Sequence, residues 1–453
     1  MPDQFSIYAE LLSNIRQVSV VASLPSARNA STKAILLDGG SRIHVSHEGD
    51  SRVLNLPAAV HIGSGAGSGP VVLPPAKPTT ASAGAAARDG SRERQCTWRL
   101  PLAPSAQAPQ AAAAAAASPA ARGVAVPWEA VRIAPAVTSV RCRSCRAVVV
   151  PGRHITCWKD LPSADWAEMM EFWHCHKPDD HADGSGGGEH GHDHDRDGGK
   201  ADDQTLTGRG YGANSRIQAQ KGVGFVDLAT FLFAEEDCQN IMFSPSPAGD
   251  LLKSPPLDIP AATPVRHLSA SCASCQSTIG YYSFGPSAVA LLKWQVLIQE
   301  EPEATVALPS PSIGQCLAAM LLSTIARSGS SKPLVVPMTG LVVGTGGRVV
   351  TSGKALSLWI LNSTIRFTST AVSGRNVSAI KLLYKIITED DANKVMESMN
   401  SNTQDVSIPD ESLGSVIVML DRSNAILPAD DRVFQGWKVG LLEQWESGDK
   451  GTR

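Results

Sequence analysis

From Phe5 to Val60 apolar and polar positions alternate, as in QVSVVASL, KAILLD and RIHVSHE. This two-residue period is that of half-buried strands. The DGG stretch at Asp38 to Gly40 separates the last two segments and reads as a turn. Residues 1–62 are therefore predicted to form an antiparallel β module. Alternation stops over 63–125. Gly63 to Gly90 and Ala103 to Gly123 are dominated by Ala, Gly, Pro and Ser, including seven consecutive alanines at Ala111 to Ala117. Such composition cannot bury enough apolar surface to offset the entropy of ordering. This region reads as a low-complexity linker, with a short strand at 96–102 (CTWRLPL) as an island within it.

Periodicity returns at Val126. Over 126–182, strands are expected at EAVRIAP and AVVVPG, followed by a helix over SADWAEMMEFWHCH. Ser163 supplies its N-cap, and Trp166, Met169, Met170 and Trp173 share one face at helical spacing. Residues 183–204 are Gly, Asp and His without period and read as a disordered insertion. Residues 205–300 form a β region containing GVGFVDLATFLFAEED and HLSASCASCQSTIGYYSF. From 301 to 453 the pattern is α+β: a helix at Gly314 to Arg327, strands at KPLVVPM, RVVTS, ALSLWILNSTIRFTS and SAIKLLYKII, and a helix-like segment ending in FQGWKVGLLEQW. No internal repeat is apparent. The expected class is α+β, mostly β.

Charge narrows the partners. Forty basic against 43 acidic residues, a net charge of −3, argues against direct nucleic-acid binding and against a membrane surface reached through charge. The first residues, MPDQFSIYAELLSNIRQ, lack a basic stretch followed by an apolar one, so secretion is not expected. The longest apolar run, Ile313 to Ala326, is too short to span a bilayer and reads as a core helix. A cytoplasmic or nuclear location follows as the expectation. In that reducing setting the nine cysteines point to metal ligation or catalysis rather than structural disulfides.

Two C-x-x-C elements stand out, Cys142/Cys145 in RCRSCRAVVV and Cys272/Cys275 in ASCASCQSTIGYY. A knuckle in a turn beside a strand supplies half of a tetrahedral thiolate shell, and two knuckles complete it. The sequence distance between them means that tertiary folding would assemble the site, giving a structural Zn2+ that staples the central region. A thioredoxin-like redox pair and unrelated buried thiols are the alternatives. The redox pair is disfavoured because it wants a helix N-terminus and both pairs lie between strands. Cys175 or His176, in WHCH, could add a ligand or could simply pack at a helix end. The HGHDHD tract reads as a solvated linker.

The remaining thiols offer little catalysis. Cys316 lies on a helix that is apolar nearly all round, and Cys238 follows the acidic FAEED. A reactive cysteine needs exposure and a base or positive charge nearby. No Walker loop, G-x-S-x-G elbow or H-E-x-x-H motif occurs, and GTGG at Gly344 to Gly347 reads as a hairpin turn.

Seven segments in order carry a resemblance: CRSC at Cys142, LPSADWAEMMEFWHCHKPD from Leu161, CASC at Cys272, IGQCL from Ile313, LSLWILNS from Leu356, SAIKLLY from Ser378 and SNAILPADDRVFQGWKVGLL from Ser423. Together they resemble the HECT-like family of proteins that bind ubiquitin-conjugating enzymes. The resemblance implies a ubiquitin-protein ligase whose partners are a ubiquitin-conjugating enzyme and ubiquitin. It also implies an alternative role, association with the endonuclease of pre-mRNA 3′-end cleavage and polyadenylation. The positions matching the family are Cys142, Cys145, Cys175, His176, Cys272, Cys275 and Cys316, with Trp166, Trp173, Trp359 and Pro428. A conventional HECT ligase has its acceptor cysteine near the C-terminus, whereas no cysteine follows Cys316 here. Thioester chemistry would then fall to Cys316, the catalytic candidate, or to an apparent metal ligand; otherwise the protein acts as an adaptor.

Overall fold

The computed structural model describes residues 5–61, 69–75, 92–104, 125–161, 218–244, 266–300, 309–338, 340–343, 348–349, 352–398 and 403–446. The first strands are β1 (Ser6–Leu12), β2 (Gln17–Ser23), β3 (Lys33–Leu37), β4 (Arg42–His47), β5 (Asp50–Asn55), β6 (Val71–Val72) and β7 (Gln95–Pro101). The centre contributes β8 (Thr138–Cys142), β9 (Val148–Val150), β10 (Cys157–Asp160), β11 (Val223–Val226), β12 (Thr230–Phe233), β13 (Ile241–Phe243), β14 (His267–Cys272), β15 (Thr278–Ser283), β16 (Ala288–Leu292) and β17 (Val296–Glu300). Then follow α1 (Ile313–Ser328), β18 (Leu334–Pro337), β19 (Leu341–Val343), β20 (Arg348–Val349), β21 (Lys354–Ser369), β22 (Val377–Thr388), α2 (Glu389–Glu397), β23 (Asp405–Ile408), α3 (Asp410–Ile426), β24 (Val433–Phe434) and β25 (Trp437–Glu443). The chain is mostly β, with an antiparallel N-terminal sheet and helices toward the C-terminus, in line with the sequence. Among the described residues no helix is long and apolar enough to cross a membrane.

The chain divides into two compact units, and they do not follow chain order. One holds Met1–Pro127, Pro311–Thr339 and Val350–Arg453; the other holds Trp128–Ser310 and Gly340–Val349. The N-terminal module and the C-terminal region share the first unit because β1 pairs antiparallel with β21, Tyr8 opposite Ser369 through Leu11 opposite Arg366. This creates a nine-stranded sheet of order β24-β25-β22-β21-β1-β2-β7, with β18 paired to β21 and β23 paired to β18.

The half of this sheet near β7 packs on a second sheet, β5-β4-β3-β6, through a core that includes Ile7, Val18, Val20, Leu36, Ile43, Val45 and Trp98. The predicted DGG turn joins β3 to β4. A side chain at Gly40 would lie 2.3 Å from the Val60 carbonyl oxygen, and φ there is +87°, so only glycine fits. On the other half, α1 and α3 bury Leu317, Leu321, Leu413, Val416 and Leu420 in one core with Leu358, Ile380, Leu382 and Tyr384. The N-terminus of α1 carries a capping box: Gln315 N–H donates to Ser312 Oγ (3.1 Å), and Ser312 N–H donates to Gln315 Oε1 (2.9 Å).

Two expected elements take another form. The segment FQGWKVGLLEQW is a hairpin, β24–β25, instead of the end of a helix. Gln435 and Gly436 both have positive φ (48° and 79°), as a tight hairpin turn requires. The helix α3 lies upstream of it. EAVRIAP is a 3-10 turn over Ala130–Arg132 instead of a strand, and Val131 is 85% exposed, which removes the apolar alternation that suggested pairing. The expected helix 163–176, Cys175 and His176 with it, and the 183–204 insertion lie outside the described residues.

An ion pair is buried in the first unit. Lys381 Nζ on β22 lies 2.8 Å from Glu10 Oε2 on β1, and the Tyr8 hydroxyl donates to the same oxygen at 2.9 Å. Glu10 is only 6% exposed. Lys381→Met should therefore destabilise the unit by about 2 kcal/mol. That is less than for a fully buried pair, because Lys381 keeps 24% of its side-chain surface in water. Urea unfolding checks this, and Glu10→Gln in the same chain should restore most of the loss.

Candidate metal centre

The central unit contains a nine-stranded sheet, β10-β11-β12-β16-β15-β14-β19-β20 with β13 beside β14, and a three-stranded sheet, β17-β8-β9. Cys142 ends β8 and Cys272 ends β14. Each opens a knuckle of the same construction. The N–H of Cys142 donates to Ala147 O and that of Arg146 back to Cys142 O; the N–H of Cys272 donates to Ser277 O and that of Gln276 back to Cys272 O. Arg146 and Gln276 close the turns with φ of 63° and 60°. A register shift stands two residues before each first cysteine, at Val140/Arg141 and Ala270/Ser271.

The correspondence extends past the knuckles. Downstream of the first knuckle, β12, a 3-10 turn (Glu235–Asp237) and β13 follow; downstream of the second, β16, a 3-10 turn (Lys293–Gln295) and β17 follow. The third strands are exchanged. β13 pairs with β14, placing Ile241 opposite Cys272, and β17 pairs with β8, placing Val296 opposite Cys142. The residue just before each third strand offers its carbonyl to the other half's knuckle: Ala273 N–H donates to Asn240 O (2.8 Å), and Arg143 N–H donates to Gln295 O (3.0 Å). β12 and β16 lie side by side, antiparallel. The two knuckles and their exchanged third strands thus correspond by a local pseudo-two-fold, with the four cysteines where the knuckles meet; the correspondence ends at the sheets, since β15 pairs with β16 while β9 pairs with β8 in a separate sheet.

The sulfur geometry follows from this symmetry. All four Sγ atoms lie within 4.8 Å of one another. Cys142 and Cys275 are 3.7 Å apart and Cys145 and Cys272 are 3.6 Å apart, two separations that the pseudo-two-fold interchanges. An ion bonded to four tetrahedral thiolates at about 2.3 Å holds its sulfurs about 3.8 Å apart. The cluster fits that geometry and could bind a metal ion. Cys142 and Cys272 are fully buried, Cys275 is half-buried and Cys145 is exposed. Hydrogen bonding to the hydroxyl and backbone N–H of Ser277 pulls the Cys275 thiol down to about 6, whereas burial pushes Cys142 up to about 12.

Sequence reasoning found the four sulfurs but not their supports, Asn240, Gln295 and Ser277. Ser277 Oγ also donates to Ser144 Oγ of the opposite knuckle at 3.2 Å. The parallel between RCRSCR and SCASCQ was the available signal. The other described cysteines are placed differently. Cys96 sits in the N-terminal core, and Cys157 is half-buried with its thiol directed at Trp158 O (3.7 Å). Burial, then Asp237 and Glu235, pushes the Cys238 thiol well above its ordinary range. Cys316 is fully buried on α1.

By fold and site this is a mostly β protein whose central unit brings together four cysteines that could bind a metal ion. The chain belongs to the family described as HECT-like ubiquitin-conjugating enzyme (E2)-binding, whose model matches residues 10–439. Two yeast proteins also match over short stretches. An uncharacterized protein of Schizosaccharomyces pombe is 41% identical over 56 residues, 12% of this chain and 16% of that protein. An uncharacterized protein of Saccharomyces cerevisiae is 39% identical over 41 residues, 9% of this chain and 12% of that protein. The matches thus span less than a fifth of either relative's length. No solved structure matches the chain.

Proposed function

We propose that this chain binds a ubiquitin-conjugating enzyme and promotes transfer of ubiquitin from that enzyme to substrate lysines, with structural zinc held by Cys142, Cys145, Cys272 and Cys275. The family match over residues 10–439 is the observation that carries the reading. Zinc is the ion suited to an all-thiolate tetrahedral site in a closed, structural setting. Its chemistry is to hold the exchanged halves together.

Burial weighs against transfer through Cys316. A thioester on Cys316 would require the ubiquitin C-terminus to reach a sulfur with no exposed surface. The reading is therefore of a protein that positions the charged enzyme while the substrate amine attacks that enzyme's own thioester, forming the isopeptide bond and releasing the enzyme's thiol. Incubation of a ubiquitin-charged conjugating enzyme with the full chain, read on a non-reducing gel, tests this. Binding with faster discharge to lysine and no thiol-sensitive adduct on the chain is expected, unchanged in Cys316→Ala. An adduct lost in that variant would restore Cys316 as the acceptor, one retained in it would make an apparent metal ligand such as exposed Cys145 the acceptor, and absence of any binding would overturn the reading. The alternative role in pre-mRNA 3′-end processing draws no support from the family description or from either relative.

A further inference from the structure

All four sulfurs lie within 4.8 Å of one another, and two contacts that cross between the knuckles each join one accessible and one fully buried cysteine. Exposed Cys145 meets buried Cys272 at 3.6 Å; half-buried Cys275 meets buried Cys142 at 3.7 Å. We propose that the cluster is an oxidation site, which hydrogen peroxide or a related hydroperoxide converts into two cross-knuckle disulfides, Cys142–Cys275 and Cys145–Cys272. The metal-release part of this proposal rests on the zinc reading above; the connectivity does not.

The chemistry balances pair by pair. The accessible sulfur, Cys145 or Cys275, attacks the peroxide oxygen; an S–O bond forms, the O–O bond breaks, and hydroxide leaves as water, taking the thiol proton or, where the sulfur is a metal-bound thiolate, a proton from solvent. The buried partner sulfur then attacks the sulfenic sulfur, forming the S–S bond and expelling the second oxygen as hydroxide, which becomes water with the thiol proton or, from a metal-bound thiolate, with a solvent proton. Each pair loses two electrons and reduces one peroxide. With every thiolate consumed, no ligand remains and the ion leaves.

Two features favour crossing over closure within a C-x-x-C. The resolving sulfur already stands in contact with its accessible partner. Each knuckle's backbone is also pinned by the Cys142–Ala147 or Cys272–Ser277 hydrogen bond and by the exchanged third strand. Oxidation would replace a metal clamp between the halves with a covalent one, closing spans of 133 and 127 residues. The halves stay joined when the metal is lost, and a thiol reductant reverses the change.

The full chain, first assayed for zinc, is treated with hydrogen peroxide beside a chromophoric chelator, alkylated, and digested without reduction. Trypsin separates Cys142 from Cys145 by cutting after Arg143, and fragmentation between Cys272 and Cys275 assigns the links. The expected result is Cys142–Cys275 and Cys145–Cys272 with release of one zinc per chain, both reversed by reductant and added zinc. In Cys145→Ser the Cys142–Cys275 link alone should form. Links within a knuckle, Cys142–Cys272 with Cys145–Cys275, or sulfinic and sulfonic products without links would each overturn the proposal. Protein that carries no zinc before treatment but forms the expected links would overturn the metal reading and leave the connectivity standing.

Discussion

With zinc held as proposed above, Cys272→Ser is expected to carry no metal and its central unit to melt roughly 10 °C lower, a shift corresponding to about 3–5 kcal/mol for a body of this size. The reason lies in what the four thiols join. Cys272 is fully buried at the end of β14, in contact with Cys145 of the other knuckle, so its removal opens the clamp between the exchanged halves. A hydroxyl in its place is a poor ligand for an ion suited to thiolates. Structural zinc supplies about 10–16 kcal/mol in small modules that cannot fold without it. The unit here has strands and an apolar core besides, with Phe225, Phe231, Phe233 and Ile279 fully buried, so partial destabilisation is expected instead of collapse. Acid should weaken wild-type metal binding in the same direction. Cys142, pushed up to about 12 by burial, must give up its proton to bind, and protons compete for it increasingly as pH falls. Metal analysis with differential scanning calorimetry checks the mutant. Full metal content with an unchanged melting temperature would refute the clamp.

Local chemistry was the legible part of this chain. Alternation identified β2, β3 and β4, the apolar run from Ile313 identified α1, and the two C-x-x-C elements picked out all four clustered sulfurs. Long-range pairing was hidden. Nothing in SIYAELL or KALSLWILNSTIRFTS states that β1 will lie against β21, because register is settled by a shared core and not by either segment alone. The duplication inside the central unit escaped for a similar reason. EEDCQNIMF and KWQVLIQE share almost no residues, yet their last strands occupy equivalent register opposite Cys272 and Cys142. Backbone hydrogen bonding carries that equivalence and asks little of the side chains, so the repeat survives in geometry without surviving in composition. The tail is ambiguous in sequence because VGLLEQW fits both periods, and the turn at Gln435 and Gly436 decides between them.

Gly280→Ala should damage the same unit by a route that touches no sulfur, and it is the sharper test of how the second knuckle is held. Gly280 lies on β15 opposite Leu291 of β16. A methyl group there would stand 2.0 Å from the carbonyl oxygen of Ala290 and 3.0 Å from the Cα of Leu291. Both obstacles are backbone, so no rotamer change relieves the clash and the strands themselves must separate. β15 is also the second strand of the knuckle hairpin, pairing with β14 from His267 to Ser271. Pushing it away from β16 therefore shifts Cys272 and Cys275 relative to Cys142 and Cys145. A loss of about 3 kcal/mol is expected, at the upper end of overpacking costs, together with weaker metal retention against a chelator. Gly285→Ala is the matched control. It lies in the turn after β15 with nothing within 4 Å of the added carbon, and should change stability by less than about 0.5 kcal/mol. Saturating zinc should recover part of the Gly280→Ala loss, because an ion that binds only the folded unit draws the equilibrium toward it. Equal stability of the two variants would mean that β15 and β16 are not held in the close register on which the knuckle's position depends.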